Sequence, residues 1–238
     1  MGAIGTDLEE MREALSQVQS YDESDFVYAV TTKMPYKWGP TGKEPIDSPD
    51  QSSRPRLVVI DCGLKHNILR RFWKAGCRPI VLPATVSADE VMAWKPDGIL
   101  LSPGPGDPMR LDPIVETVKR LLGQRPIFGI CLGNQLLSRA VGGSTYKLKF
   151  GHRGSNHPVK DLHTGVVTIT SQNHGYAIDP ESLTGTRGVV TQININDDTV
   201  EGIAVPDADA VSIQYHPEAA PGPWDSRPYF QEFVDKLK

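Results

Sequence analysis

Apolar residues at the start of the chain recur at helical spacing: Leu8, Met11, Leu15 and Val18 fall on one face. Thr6, with Glu9 three residues on, has the form of a capping box and places a helix start there. A face of this kind needs a surface to cover it, so the first helix is expected to pack on the body of the protein. A polar turn over residues 20–25 leads into the apolar run 26–30. Residues 34–55 are dense in Pro, Gly, Ser, Asp and Lys, and read as a linker or a surface-hugging loop.

The texture changes at Arg56. Residues 57–60 are wholly apolar, as expected of a strand covered on both faces. Leu64, Ile68, Leu69 and Phe72 then mark one side of a helix that ends near Gly76, and a second strand runs over 78–82. Ser87 opens a helix through Trp94, residues 98–101 form a third strand, and a helix over 112–122 precedes a strand at 126–130. Strands alternating with helices at this spacing imply parallel βαβ units. After Gly143 the pattern turns β-rich, with strands expected at 145–150, 166–171, 187–194, 200–204 and 211–215, before a last helix over 228–237. The expected architecture is α/β: an open, mostly parallel sheet flanked by helices, with an antiparallel β addition.

Composition narrows the function classes. The chain has 238 residues, 39% apolar and 23% charged, and a net charge of −4, which offers no electrostatic footprint for nucleic acid or an anionic membrane. No apolar run is long enough to span a bilayer, and the N-terminus lacks the basic and apolar regions of a signal peptide. Cys62, Cys77 and Cys131 are an odd number without metal-like spacing, so a reducing cytoplasm is the expected compartment. His66, His152, His157, His163 and His174 also lack metal-ligand spacing, and no metal site is expected. Trp38, Trp73, Trp94 and Trp224 are scattered and suggest packing.

Three segments carry candidate chemistry. Gly129, Cys131 and Gly133 lie between an apolar strand and a helix, which is the cysteine version of a nucleophile elbow. A buried packing cysteine is the commoner role, but this setting also puts the sulfur at a helix N-terminus, where peptide dipoles favour thiolate. Next, Tyr215-His216-Pro217-Glu218 directly follows a strand. In extended chain, residues two apart project to one side, so Glu218 can orient His216 towards the sulfur. Finally, Pro and Gly alternate over residues 103–106 after a strand, specifying a rigid loop with close backbone access. Its N–H groups, with that of Leu132, can form an oxyanion hole; a plain strand-to-helix turn is the equal alternative.

Together and in this order, the segments resemble class I glutamine amidotransferases, over residues 54–238. The resemblance implies a flavodoxin-like fold with Cys131 as nucleophile, His216 as base and Glu218 as its partner. It places Gly104, Gly106, Leu132, Gln135, Asn173, Gly175 and Tyr176 around glutamine or its oxyanion. Residues 149–159, 171–176 and 216–225 resemble more narrowly the small chain of carbamoyl-phosphate synthase. That likeness implies L-glutamine as substrate, no metal or organic cofactor, ATP used only on a partner large chain, and ammonia supplied to it for carbamoyl phosphate. Neither nucleic acid nor membrane is an implied partner. Asn134 stands where that family usually has His. Residues 1–53 resemble the tail of a preceding domain plus a linker, so the chain is expected to be a fragment or a shortened relative. The alternatives are the amidotransferase of anthranilate, GMP or CTP synthesis, or a non-catalytic scaffold protein.

Overall fold

The computed structural model describes residues 2–18, 24–47 and 53–238. Helix α1 (Leu8–Ser16) starts one residue later than the capping box implies. Its cap is Asp7, whose carboxylate accepts from the N–H groups of Glu9 at 2.8 Å and Glu10 at 3.0 Å. A charged cap at the positive end of a helix dipole is the stronger choice, which explains the shift away from Thr6. The expected covering surface is absent among the described residues: α1 buries nothing, and Leu8, Leu15 and Val18 are exposed. Most of the expected polar turn at 20–25 lies outside the described residues.

A short helix α2 (Phe26–Val30) comes next, followed by strands β1 (Tyr36–Gly39) and β2 (Gly42–Glu44). Part of the segment expected to be a loop is therefore a hairpin; residues 48–52 of it lie outside the described set. Gly42, with φ +124, takes the turn conformation that side-chain-bearing residues avoid. Tyr36 and Trp38 are buried, which a count of turn-forming residues does not register.

The alternating units follow as expected: β3 (Arg56–Asp61), α3 (His66–Lys74), β4 (Arg78–Pro83), α4 (Ala88–Ala93), β5 (Gly98–Leu101), α5 (Asp112–Leu121), β6 (Ile127–Ile130) and α6 (Leu132–Ala140). Ser87 caps α4 in a full capping box with Glu90. The β-rich remainder comprises β7 (Thr145–Asp161), β8 (Val167–Ile178), β9 (Val189–Asn194), β10 (Val200–Val205) and β11 (Ala210–Ile213), closed by α7 (Pro228–Asp235). Strands β7 and β8 run well past the expected 145–150 and 166–171. Breaks in their register between Lys147 and His152, and between Gly154 and His157, interrupt the alternation that would reveal them in sequence.

The eleven strands among the described residues form one sheet, in the order β2-β1-β4-β3-β5-β6-β11-β10-β9-β7-β8. The five strands β4-β3-β5-β6-β11 pair in parallel, and antiparallel strands extend the sheet on both edges. Period-two alternation divides the apolar runs between two cores. Val58, Ile60, Ile99 and Leu101 pack with Val91 of α4, Ile114 and Val118 of α5, and Leu136 and Leu137 of α6. Leu57, Val59, Leu100 and Phe128 face Ile68, Leu69 and Phe72 of α3 and Phe230 and Phe233 of α7. Burial on both faces is why these strands read as unbroken apolar runs. The carboxyl ends of β3, β5, β6 and β11 open on one edge of the sheet, where ligands of doubly wound folds bind.

Candidate active site

Cys131 occupies the junction of β6 and α6 with φ 55 and ψ −103, a left-handed-side backbone conformation that costs free energy for a residue with a side chain. The junction is held by its neighbours. Its N–H donates to the carbonyl of Ile213 at 2.8 Å, and its carbonyl accepts from the N–H groups of Asn134 and Gln135. A Cβ on Gly133 would lie 2.2 Å from the Leu101 carbonyl oxygen, and one on Gly129 would lie 2.7 Å from that of Gly133. Both flanking positions must therefore be glycine for β6 and α6 to meet so tightly. The sulfur sits at the amino end of nine-residue α6, where the helix dipole favours negative charge.

His216 leaves the end of β11, and its N–H donates to the carbonyl of Ser171. Its Nδ1 lies 2.8 Å from Glu218 Oε1, which leaves Nε2 for the sulfur of Cys131. Asn67 donates from its side-chain amide to the Glu218 carbonyl. Lys65 Nζ reaches Glu218 Oε1 at 3.4 Å and His216 Nδ1 at 3.4 Å. Burial pulls the His216 imidazolium down, but the facing Cys131 sulfur and then the Glu218 carboxylate outweigh it and push His216 up to about 9. Burial likewise pushes Glu218 up, yet its hydrogen bond and charge interaction with His216, with help from Lys65, hold it below the usual range. Such a sulfur–imidazole–carboxylate series can deprotonate a thiol and return the proton to a leaving nitrogen.

The loop after β5 closes a third side. Ser102 Oγ accepts from the Cys62 N–H and donates to the Pro103 carbonyl, both at 2.8 Å, which fixes the start of the loop. A Cβ on Gly104 would meet the Cys62 carbonyl oxygen at 2.1 Å and Leu132 Cδ2 at 2.7 Å. Glycine there brings the loop backbone against the first residue of α6, beside Cys131.

These parts enclose a cleft of about 400 Å³. Gly104, Gly106, Gln135, Asn173, Gly175 and Tyr176, all singled out from sequence, line it together with Cys131 and His216. Leu132 and Glu218 stand just behind the lining. Gln135 is buried, and its side-chain amide donates to the Tyr176 carbonyl at 2.9 Å and to Gln214 Oε1 at 3.0 Å, tying α6 to β8. Asn134 is fully buried in the same network: it donates to Gln214 and accepts from Ser212 Oγ at 2.8 Å.

Sequence reasoning missed the basic rim. Lys65, Lys147, Lys149 and Arg153 also line the cleft and give it a positive mouth in a chain of net negative charge. Three of them lie in β7, whose irregular register conceals which side chains share a face. Lys65 belongs to a turn built on Asp61, whose Oδ1 accepts from the N–H groups of Gly63 and Leu64. Asp at that offset was the available signal. His174 lines the wall as well; burial pulls it down to about 4, so it is neutral at physiological pH.

Comparison with known proteins identifies the family and the fold. The sequence profile described as Glutamine amidotransferase class-I matches residues 58–236. The chain is 49% identical over 226 residues to a carbamoyl phosphate synthase small chain of Methanopyrus kandleri, covering 95% of this chain and 59% of the relative. It is 56% identical over 183 residues to the protein of the same description in Bacillus caldolyticus, covering 77% and 50%. The chloroplastic small chain of Arabidopsis thaliana is 45% identical over 246 residues, covering 100% and 56%. The chain thus spans between half and three-fifths of the length of these relatives. A solved structure from Thermoplasma acidophilum, described as part of a GMP synthase, superposes with a TM-score of 0.67, covering 79% of this chain and 96% of that one. At 21% identity it speaks for the fold alone. No helix among the described residues is long and apolar enough to cross a membrane. By fold, by the match over 58–236 and by these relatives, the chain belongs to the class I glutamine amidotransferase family.

Proposed function

We propose that this chain hydrolyses L-glutamine to glutamate and ammonia through a thioester on Cys131, and supplies the ammonia to a large-chain partner that makes carbamoyl phosphate. The observation that carries the chemistry is the buried Cys131–His216–Glu218 series at the wall of one cleft, with the sulfur at a helix amino end. The carbamoyl-phosphate assignment rests on relatives at 45–56% identity that bear the small-chain description.

In this reading the Cys131 thiolate attacks the side-chain amide carbon of glutamine. The developing oxyanion meets the Leu132 N–H and the backbone of the loop around Gly104 and Gly106. His216 gives its proton to the leaving nitrogen; ammonia departs and a γ-glutamyl thioester remains. Water then attacks the thioester, His216 takes its proton, and glutamate and the Cys131 sulfur are released. Glu218 keeps the imidazole oriented and stabilises its charged form. Gln135, Asn173, Gly175 and Tyr176 form the wall that holds the substrate, and the basic rim favours approach of its carboxylate. The steps use no metal or organic cofactor, and ATP belongs to the partner. Residues 54–238 make up the amidotransferase unit, with residues 1–53 attached to it. The three cysteines, all free, suit a reducing cytoplasm.

The test is release of glutamate and ammonia from glutamine, alone and with a large chain added, beside Cys131→Ala. Equal amounts of the two products are expected from the native chain, falling by about three orders of magnitude or more in the variant. Activity that survives in Cys131→Ala would remove the thioester. A folded native chain silent under both conditions would favour a scaffold role.

A further inference from the structure

Behind the wall that His174 contributes to the cleft lies a buried cluster that the proposed hydrolysis does not use. Its members come from three strands: His152 and His157 from β7, Gln172 and His174 from β8, and Glu201 from β10. Asp197 joins them from the turn between β9 and β10. His152 and His174 are more than nine-tenths buried, and Glu201 is wholly so.

The hydrogen bonds decide which ring atoms are spent. His174 Nδ1 lies 2.8 Å from the Tyr176 carbonyl. A carbonyl only accepts, so Nδ1 carries the proton, and in the neutral ring Nε2 is left as a bare lone pair. His152 Nε2 lies 2.8 Å from Asp197 Oδ2, which leaves Nδ1. Both remaining nitrogens, His174 Nε2 and His152 Nδ1, are buried without a hydrogen-bond partner among the described residues. His152 Nδ1 stands 3.5 Å from Glu201 Oε1, close enough for charge attraction but not hydrogen-bonded in geometry. Glu201 is itself anchored, accepting from Gln172 Nε2 at 2.8 Å and from Asn194 Nδ2 at 3.0 Å. One donor atom from each of His152, His174 and Glu201 falls within 4.8 Å of the others.

Two arrangements answer this geometry. A charged His152 shared between Asp197 and Glu201 would satisfy that ring but leave His174 Nε2 with nothing to accept. A cation at the centre satisfies both rings and the carboxylate at once. The outward atoms favour the cation: one imidazole N–H is held by a carboxylate, the other by a carbonyl, and the carboxylate by two amides. Groups in those positions orient the ligands of a bound metal. We propose that His152, His174 and Glu201 bind one divalent transition-metal ion of the Zn²⁺ class, clamping β7, β8 and β10 together beside the cleft. Two imidazoles with one carboxylate suit Zn²⁺ and its neighbours, whereas Ca²⁺ and Mg²⁺ require mostly oxygen. Bonds of roughly 2.1 Å in a tetrahedron put ligand atoms about 3.4 Å apart; His152 Nδ1 and Glu201 Oε1 are already 3.5 Å apart, and within the 4.8 Å spread of the three the remaining approach is up to about 1.4 Å. Water takes the fourth position; the His157 ring lies 5.1 Å from that of His152, and its Nδ1 is also unpartnered among the described residues. Spacing along the chain carries no sign of the site, because register breaks in β7 and the return through β10 assemble it.

The experiment uses the full chain, stripped with a chelator and titrated with Co²⁺ alone, reading the visible d–d bands and the stoichiometry. One equivalent is expected, displaced by Zn²⁺. Cys131→Ser should keep the bands, His152→Asn and His174→Asn should lose them, and Asp197→Asn should weaken binding by about tenfold or more. Circular dichroism checks each fold. Should either histidine variant unfold, Asp197→Asn decides, since that side chain is 41% exposed and its loss spares the core. Unchanged Co²⁺ affinity in Asp197→Asn overturns the site. So does the absence of binding to the native chain, or binding that is lost in Cys131→Ser yet kept in His152→Asn, which would put the metal on the Cys131–His216 pair.

Discussion

At the scale of single residues, the cleft depends on close approaches that no larger side chain can make. Gly133 is the sharpest case, because a methyl group there would sit 2.2 Å from a backbone oxygen of β5 rather than against a flexible side chain. Gly133→Ala is expected to cost about 1–3 kcal/mol in urea unfolding and to lower glutamine turnover, since α6 must move and carry Cys131 with it. A midpoint shift within error, with turnover intact, would show that the elbow relaxes freely. Charge at the same site makes a second prediction. The folded pKa of His216 is raised to about 9 from an unfolded value near 6.5. Its contribution to stability is therefore fully present below about pH 6.5 and lost as pH rises through about 9. Removing the sulfur removes the first of the two influences that raise it. The fall in thermal midpoint between pH 6.5 and 9 should accordingly be shallower in Cys131→Ala than in the native chain. Identical slopes would mean that the sulfur does not set the charge of the histidine.

Among elements, what could be read from sequence follows physical regularity. Strands β3, β5 and β6 were legible as apolar runs because both faces are covered, and α3 because Ile68, Leu69 and Phe72 meet one core. Phe72 stands at the centre of that core, edge-on to Phe128, Phe230 and Phe233 at 4.9–6.4 Å. Phe72→Ala should cost about 3–5 kcal/mol, and a measured loss under about 1 kcal/mol would show that α7 collapses into the space. The elbow and the His216–Glu218 pair were legible for a different reason. Each is a local motif, in which the geometry of a turn or a strand end dictates residue types at short offsets. The hairpin of β1 and β2 was hidden because Tyr36 and Trp38, which bury it, are set among turn-forming residues. The lengths of β7 and β8 were hidden by register breaks, and with them the basic rim and the histidine cluster. A site assembled across strands leaves little periodicity to find.

Across the whole molecule, stability is unevenly distributed, and the N-terminal part shows where the division falls. Helix α1 has a capped start and an apolar stripe, the features from which packing was expected, yet it buries none of its residues. Amphipathic pattern states what a helix can cover, and a surface has to be supplied elsewhere. The β1–β2 hairpin is the opposite case. It continues the sheet through β4, Trp38 is 6% exposed, and its ring lies 5.1 Å from that of His66 and 5.7 Å from the Arg70 guanidinium. Folding free energy arises where apolar area leaves water, so the hairpin contributes to the global transition and α1 does not. Removing residues 1–18 should leave the thermal midpoint within about 2 °C of the native value, whereas Trp38→Ala should lower it by well over about 4 °C, in line with a loss of about 3 kcal/mol. Differential scanning calorimetry of both variants separates the two. A large loss on removing residues 1–18 would mean that the apolar stripe of α1 is covered in solution after all, and a concentration dependence of that loss would identify a second copy of the chain as its cover.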